Sequence, residues 1–229
     1  MDPAAIKALL ASTDVEAIRT SALSYDNFEA EDVRTEEQIM KLQMLLWSRA
    51  LQLQKTTGAA DKDISDTYKN MGSVWLRMGE NDKAIGQLKH AIEHDDKNAR
   101  AYELLSEAHC NHTHYEEAIE CQEKAIPLLS GAAQTLAYGN LAGIQEAKCE
   151  FEDALQILEV AKATMASETD FAAADIYRRM GVIHEKMGEY KQAVSDLTTA
   201  LELYKKLKGE GHEQTEEIAY LLETCAAYA

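Results

Sequence analysis

The chain has 229 residues, of which 46% are apolar, and it carries 23 lysine and arginine residues against 40 aspartate and glutamate residues, a formal net charge of −17. Such a charge repels phosphate backbones and anionic membrane surfaces, so nucleic acid is not an expected partner. The N-terminus lacks the basic and apolar stretches of a signal peptide, and no segment approaches the roughly 18 uncharged apolar residues that a membrane span requires. We therefore expect a soluble cytoplasmic protein that does not insert into membranes.

The composition predicts helices along the whole chain. Only two prolines occur, Pro3 and Pro127, and the β-branched and aromatic residues that favour strands are few beside alanine, leucine, glutamate, lysine and glutamine. The four cysteines have no CxxC spacing, which indicates reduced thiols rather than disulfides. An all-α architecture follows.

Residues 1–62 are predicted to form the N-terminal helices. Pro3 suits the first position of a short helix, and Asp14 is a candidate cap for a second helix within "TDVEAIRTSALSYDNF". Residues 35–56 have the apolar periodicity of a strong amphipathic helix. The second and third of these helices would pair as a degenerate form of the units that follow.

A period of 34 residues organises the next part of the chain. The stretch "YKNMGSVWLRMGENDKAIGQLKHAI" (68–92) aligns without a gap with "YELLSEAHCNHTHYEEAIECQEKAI" (102–126), and the pattern returns at 138–162 and 177–201. Each unit is predicted to be a helix, a short turn and a second helix. Small residues fall where the two helix backbones would approach most closely. These small residues are Gly72, Gly181, Ala84, Ala118, Ala154 and Ala193.

The repeated pattern resembles the tetratricopeptide repeat (TPR) family, in which a large aromatic residue, a glycine turn and two alanines recur in each unit. The resemblance implies a right-handed α-α superhelix, a TPR solenoid of antiparallel helix pairs. Residues 63–229 would then hold four clear repeats and a C-terminal helix at 213–228, which is either a cap or a truncated unit. The repeats are expected at about 65–98, 99–132, 135–168 and 174–207.

The C-terminal stretch "ALELYKKLKGEGHEQTEEIAYLLETCA" (200–226) is similar to the long-repeat variety of TPR found in kinesin light chains. Gly209, His212 and Leu222 keep the spacing of that variety, whereas Glu213 stands where it commonly has proline. This finer resemblance implies a motor-linked or cytoskeleton-associated adaptor.

The stretch "AHCNHTHYEEAIEC" (108–121) gathers three histidines and two cysteines, and therefore raises the question of a metal site. In the repeat register His109 takes the packing position of Trp75 and His184, whereas His114 falls in the turn. The spacing matches no compact zinc pattern, so we expect no metal and no cofactor. The chain also has no G-x-S-x-G, P-loop or glycine-rich dinucleotide turn, which predicts a protein that is not an enzyme.

The resemblance also implies a concave groove walled by the first helices, where an extended peptide or a helix of a partner protein lies. The candidate groove residues are Lys69, Asn70, Arg77, Arg100, Asn140, Arg178, Arg179 and Lys186. Asn70 and Asn140 are equivalent in the register, and a side-chain amide can bond both a backbone N–H and a C=O of a ligand. A solvated polar row without a ligand is the alternative. Because acids such as Asp66 and Asp175 share this wall, the charge of the ligand stays open.

Three kinds of function fit such a surface. The first is a scaffold or adaptor that holds a segment of another protein, and the second is a structural subunit that binds through its termini or convex face. The third, a chaperone cofactor with a carboxylate clamp, is disfavoured: Asn140 and Arg179 fit one register of the clamp, but Glu103, Glu107 and Asp175 oppose it. The partner, the pathway and the oligomeric state stay open.

Overall fold

The regular secondary structure is helical throughout the described part of the chain, which confirms the all-α prediction. The computed structural model describes residues 3–25, 33–165, 167 and 169–229. The helices are α1 (Pro3–Ala11), α2 (Val15–Leu23), α3 (Val33–Thr57), α4 (Asp61–Arg77), α5 (Asn81–His94), α6 (Ala99–Asn111), α7 (Tyr115–Ala125), followed by a 3₁₀ turn (Ile126–Leu128), α8 (Gly131–Ala147), α9 (Phe151–Thr164), α10 (Phe171–Lys186), α11 (Tyr190–Lys208) and α12 (Glu213–Ala226).

The chain divides into two compact units, Met1–His114 and Tyr115–Ala229. The first unit contains α1 to α6 and the second contains α7 to α12. The division at residue 62 that the sequence suggests stays a prediction. Residues 26–28 of the second predicted helix, and residues 166 and 168 of the third predicted repeat, lie outside the described part of the chain.

In the first unit, α3 packs between α2 and α4. Its buried face brings Trp47 into one apolar core with Ile18 and Ala22 of α2. Gln43 is buried on the same face, and its side-chain amide donates a hydrogen bond of 3.1 Å to the carbonyl of Ala22. A buried amide requires such a partner. The amphipathic helix predicted at 35–56 is therefore confirmed, and α3 extends it slightly at both ends.

In the first and the last repeat, a glycine lets the two helices approach each other closely. In the first unit, a Cβ on Gly72 of α4 would lie 2.6 Å from Cγ of Leu88 on α5. In the second unit, a Cβ on Gly181 of α10 would lie 2.6 Å from Cγ of Leu197 on α11. Carbon atoms in contact normally stay about 3.5–4.0 Å apart. The close approach predicted from these small residues is therefore confirmed in both pairs.

The turn after the first helix of each repeat uses a left-handed residue. Gly79 and Gly188 occupy it with φ of 74° and 75°, a conformation that glycine adopts freely. At the equivalent turns of the two middle repeats, Thr113 has φ of 58° and Cys149 has φ of 63°. A residue with a Cβ is strained in this region by roughly 1–2 kcal/mol. The two middle turns are therefore strained relative to the outer two.

In the second unit, α10 packs against α8, α9 and α11. Its residues Ile176 and Met180 share an apolar core with Leu158 of α9. The helix α11 continues to Lys208, and Tyr204 near its end lies in a neighbouring cluster with Ile218 of α12. The long α11 therefore joins the last repeat to the C-terminal helix.

The contact at Gly181 predicts that a change from glycine to alanine destabilises the protein, which is the opposite of the usual effect in a helix interior. A helix-interior Gly→Ala change normally stabilises a protein by about 0.5–1 kcal/mol. In Gly181→Ala the added methyl meets Leu197, and overpacking of this kind costs about 1–3 kcal/mol. We expect Gly181→Ala to lower the free energy of unfolding in urea by about 1–2 kcal/mol. Gly86→Ala in α5 is the matched control, because a Cβ there meets nothing within 4 Å. Equal stabilisation by both changes would contradict the packing account.

The strained turns predict stabilising substitutions. Thr113→Gly and Cys149→Gly relieve the left-handed strain, but glycine also raises the entropy of the unfolded chain. We expect each change to raise the free energy of unfolding by about 0.5–1 kcal/mol. The reverse change, Gly188→Ala, is expected to lower it by a similar amount. Chemical denaturation of the three variants measures this, and a loss of stability in both glycine variants would count against it.

Candidate functional site

The candidate groove residues of the first unit lie on α4 and α6, which contact each other. Two of their cations are held by acids of the same helix: Lys69 Nζ lies 2.9 Å from Asp66 Oδ1, and Arg100 NH1 lies 3.2 Å from Glu103 Oε2. Pairs three residues apart face each other on a helix surface, and exposed pairs contribute little to stability. Lys69 and Arg100 therefore carry local counterions.

The other two candidate residues of the first unit, Asn70 and Arg77, lie at different positions along α4. Asn70 is half-buried beside Lys69. Arg77 is exposed in the last turn, and its NH1 donates a hydrogen bond of 3.3 Å to Gln43 Oε1 of α3. Arg77 therefore ties α4 to α3.

The second unit contains a triad of charged side chains on α10. The buried carboxylate of Asp175 accepts hydrogen bonds from Arg178 at Oδ1, with distances of 3.2 Å to Nε and 2.7 Å to NH2. Its Oδ2 accepts a hydrogen bond of 2.6 Å from Arg179 Nε. Burial opposes ionisation of Asp175, but the two guanidinium groups outweigh it and hold the pKa of the carboxyl below its usual value. Asp175 is therefore an ionised buried group that fixes both arginines.

Tyr204 supports the triad from α11. Its hydroxyl group interacts electrostatically with Arg178, and its side chain is almost fully buried. Burial, together with the charge of Asp175, raises the pKa of the Tyr204 hydroxyl. Because α11 continues beyond Leu197, where it contacts α10, it places Tyr204 as a second partner for Arg178 beside Asp175.

Arg179 lies against α8 where that helix carries glycine. A Cβ on Gly143 would lie 3.1 Å from Arg179 NH1, and a Cβ on Gly139 would lie 3.4 Å from Arg179 Nε. The guanidinium group therefore runs along the α8 backbone in space that a larger side chain would occupy. Asn140, between the two glycines in sequence, is exposed.

Lys186 at the end of α10 also reaches α8, where its Nζ lies 2.6 Å from Glu146 Oε1. The second unit thus brings Asn140, Arg178, Arg179 and Lys186 onto two helices in contact, α8 and α10. We call these four residues the second-unit surface. From the sequence, Asp175 is expected on this wall only as an opposing acid, and Gly139, Gly143 and Tyr204 are not expected at the site. Two spacings could have indicated these residues: Gly139 and Gly143 are four residues apart, and Asp175 and Arg178 are three residues apart.

The histidine-rich stretch does not gather into a metal site. His109 is buried, as its packing position predicts, and its ring centroid lies 6.1 Å from that of His114. His112 Nε2 lies 3.2 Å from Asp82 Oδ1. Across the described residues there is no group of three or more histidine, cysteine or acidic side chains placed to hold a metal ion. The four cysteines are free thiols.

The triad predicts a pH-dependent contribution to stability. Because the pKa of folded Asp175 is lowered, its contribution is complete above the unfolded-state pKa of about 4 and is lost as the pH falls through the folded-state pKa. We expect Asp175→Asn to lower the free energy of unfolding by about 1–3 kcal/mol at neutral pH. The difference from the parent chain should shrink on acidification. Glu202→Gln, an exposed change on α11, is the control, and a difference that is constant with pH would argue against the ionised triad.

None of the helices within the described ranges is both long enough and apolar enough to cross a membrane.

Comparison with known proteins locates one repeat and identifies the fold. Residues 174–207 match the family model described as Tetratricopeptide repeat. No curated protein matches the chain at a significant level. Among solved structures, BtubC (BKLC) from P. vanneervenii is 16% identical with a TM-score of 0.69, over 82% of this chain and 84% of that chain.

Two further solved structures have similar folds. One is a Podosopora anserina protein of the kinesin-light-chain type with nearly identical TPR-like repeats, 13% identical with a TM-score of 0.68, over 86% of this chain and 97% of that chain. The other is PilF of Pseudomonas aeruginosa, 15% identical with a TM-score of 0.64, over 93% of this chain and 88% of that chain. Residues 174–207 are therefore a tetratricopeptide repeat, and the chain has the all-α fold of tetratricopeptide-repeat solenoids.

Proposed function

We propose that the chain is a non-enzymatic scaffold or adaptor that holds a peptide segment or a helix of a partner protein against its first helices. The TPR fold is typical of protein–protein interaction scaffolds, which are generally non-catalytic. The observation that carries the proposal is the second-unit surface, where Arg179 is fixed by a buried carboxylate and lies against α8, the helix that carries the exposed Asn140.

The chemistry of the second-unit surface suits a peptide. The amide of Asn140 offers both a donor and an acceptor, which a ligand backbone needs. The guanidinium group of Arg179 is held in one orientation, so little side-chain entropy would be lost on binding. Rigid polar groups beside exposed helix surface favour recognition of a defined segment over non-specific contact.

The first unit would also offer polar groups to a peptide, but it would attract a charged ligand less strongly. Lys69 and Arg100 are neutralised locally by Asp66 and Glu103, so they favour hydrogen bonding over attraction of a strongly charged ligand. Asn70 stands in register with Asn140 and would serve the ligand backbone in the same way.

A motor- or cytoskeleton-linked adaptor in the cytoplasm is the narrower form of the proposal. The spacing of Gly209, His212 and Leu222 supports it, as does the similar fold of the Podosopora anserina protein of the kinesin-light-chain type. A chaperone cofactor remains disfavoured, because Asp175 stands on the wall where a clamp would need a cation.

A structural subunit is the second candidate, and exposed aromatic side chains at the C-terminal end favour it. Tyr220 on α12 is 71% exposed and Tyr228 is 70% exposed. Exposed apolar groups that lie together often mark protein contacts. In this alternative the partner binds α12 or the outer helices rather than the second-unit surface.

The proposal predicts that two substitutions remove partner binding. The test pairs Asn140→Ala with Arg179→Gln, because a glutamate at 179 would place a second carboxylate beside buried Asp175. We expect partners captured from native cell extract to fall about tenfold or more with this variant, since central interface residues carry most of the binding energy. Quantitative mass spectrometry of the captured proteins measures the change.

The matched control combines Gln156→Ala with Lys206→Gln, which makes the same change in charge at exposed positions of α9 and α11. Circular dichroism checks that both variants stay folded. Partners held equally by the intact chain and both variants would reject the second-unit surface and favour the structural subunit.

A further inference from the structure

We propose that His90 and His94 of α5 together bind a divalent transition-metal ion such as Zn²⁺. The two residues are four apart in the stretch "KHAIEH" (89–94). Residues at this spacing are neighbours on one face of a helix, and two histidines so placed can share one metal ion. The inference is independent of the proposed peptide surface, because α5 carries none of the candidate groove residues.

A carboxylate holds one ring nitrogen of each histidine. His90 Nδ1 lies 2.7 Å from Glu93 Oε2. His94 Nδ1 lies 2.9 Å from Asp61 Oδ1 of α4. Because an ionised carboxylate only accepts hydrogen bonds, Nδ1 carries the proton in each neutral ring and Nε2 carries the free lone pair. Histidines that bind metal ions typically have this arrangement, in which the carboxylate fixes the ring and makes the other nitrogen a better ligand.

The Nε2 atoms of both rings are open to a ligand. Within the part of the chain that the structure describes, neither atom has a hydrogen-bond partner and neither is buried. The side chain of His90 is 53% exposed and that of His94 is 31% exposed. The Tyr68 ring contacts both imidazole rings, with centroid distances of 5.2 Å and 5.8 Å. The two imidazoles therefore lie against one aromatic ring, and an ion in solvent can reach them.

The charges around the pair favour a cation. Asp61 and Glu93 each place a negative charge beside one histidine. One positive charge lies close by on Lys55, whose Nζ donates a hydrogen bond of 2.7 Å to the Tyr68 hydroxyl. These three groups together carry a single negative charge, and the whole chain carries −17. A dication is therefore attracted both locally and at longer range.

The ligand atoms select the kind of metal. Imidazole nitrogen suits Zn²⁺, Cu²⁺ and Ni²⁺, whereas Mg²⁺ and Ca²⁺ take oxygen ligands. The pair supplies two ligands, which agrees with the lack of any group of three or more metal-ligating side chains among the described residues. Solvent would fill the remaining positions of the ion, as it does at open zinc sites. The pair also lies outside the stretch 108–121, from which no metal site is expected.

The test titrates Zn²⁺, and separately Ni²⁺ and Mg²⁺, into the intact chain and its variants by isothermal titration calorimetry. His90→Gln and His94→Gln each remove one ligand. The matched control combines His112→Gln with His114→Gln, because the rings of these two histidines also lie near each other, 5.6 Å apart. Cys149→Ser controls for binding by an exposed thiol.

We expect one Zn²⁺ ion to bind per chain, with a Kd that either His90→Gln or His94→Gln raises about tenfold or more. Both controls should keep the Kd of the intact chain, Ni²⁺ should follow Zn²⁺, and Mg²⁺ should not bind at the pair. Zn²⁺ should also raise the melting temperature of the intact chain more than that of His90→Gln, since an ion that binds the folded state stabilises it. Circular dichroism checks that every variant stays folded.

A further variant tests whether a carboxylate positions a ligand. Asp61→Ala is expected to weaken Zn²⁺ binding about tenfold, because loss of the carboxylate behind a metal-binding histidine costs about 10–100-fold in affinity. Asp82→Ala is its control, since Asp82 is also an acid in the first turn of its helix and contacts a histidine, His112. Both changes remove one negative charge, so a difference between them reports positioning rather than general attraction.

Each contrary outcome overturns a defined part of the proposal. If the intact chain shows no saturable binding of Zn²⁺ or Ni²⁺, there is no site. If only one of the two single-histidine variants loses affinity, the histidines do not bind one ion together. If affinity falls only in the His112→Gln, His114→Gln variant, the ion binds within 108–121 instead. Equal effects of Asp61→Ala and Asp82→Ala would overturn the positioning role of Asp61.

Discussion

The close contact between the two helices of a repeat is the constraint on which the candidate site depends. At Gly72 and Gly181 a leucine of the second helix occupies the space in which a Cβ would lie. That contact fixes the rotation of the first helix about its own axis, because the helix can approach the leucine this closely only with the face that carries the glycine. The polar residues that follow the repeat register are then turned away from the partner helix. A packing requirement inside the pair therefore determines which residues the first helix can offer to a ligand.

The same register explains how one position in the repeat acquired a different role. Asp66 and Asp175 are equivalent, and each pairs with a cation three residues later, Lys69 and Arg178. The next position diverges, since Asn70 on α4 corresponds to Arg179 on α10. Arg179 donates a further hydrogen bond to Asp175, at Oδ2, and this bond has no counterpart described on α4. The last repeat is therefore a variation on a pair already present in the first, to which one guanidinium group has been added.

Much of the fold could be predicted from the sequence because it depends on local periodicity. The helices, the small residues at Gly72 and Gly181, and the packing position of His109 all follow from the register. The strain at Thr113 and Cys149 could also have been inferred, since both align with turn glycines. The role of Asp175 could not, because a list of inward charges does not show which rotamers bring opposite charges together. The placement of Arg179 on the glycines of α8 depends in addition on the distance between helices of successive repeats, which no local pattern specifies.

The overall charge of the chain determines how the second-unit surface would act on an acidic peptide. A net charge of −17 repels an acidic peptide at long range, although salt limits that repulsion to about 8 Å under physiological conditions. The single positive charge around Arg179 is too small to reverse the repulsion, so it would not accelerate encounter as a large basic surface does. Its effect would come after contact, when a peptide in the correct orientation gains hydrogen bonds that a misplaced one does not. An arginine held by a buried carboxylate therefore favours slow dissociation of a matching peptide over fast association of any acidic one.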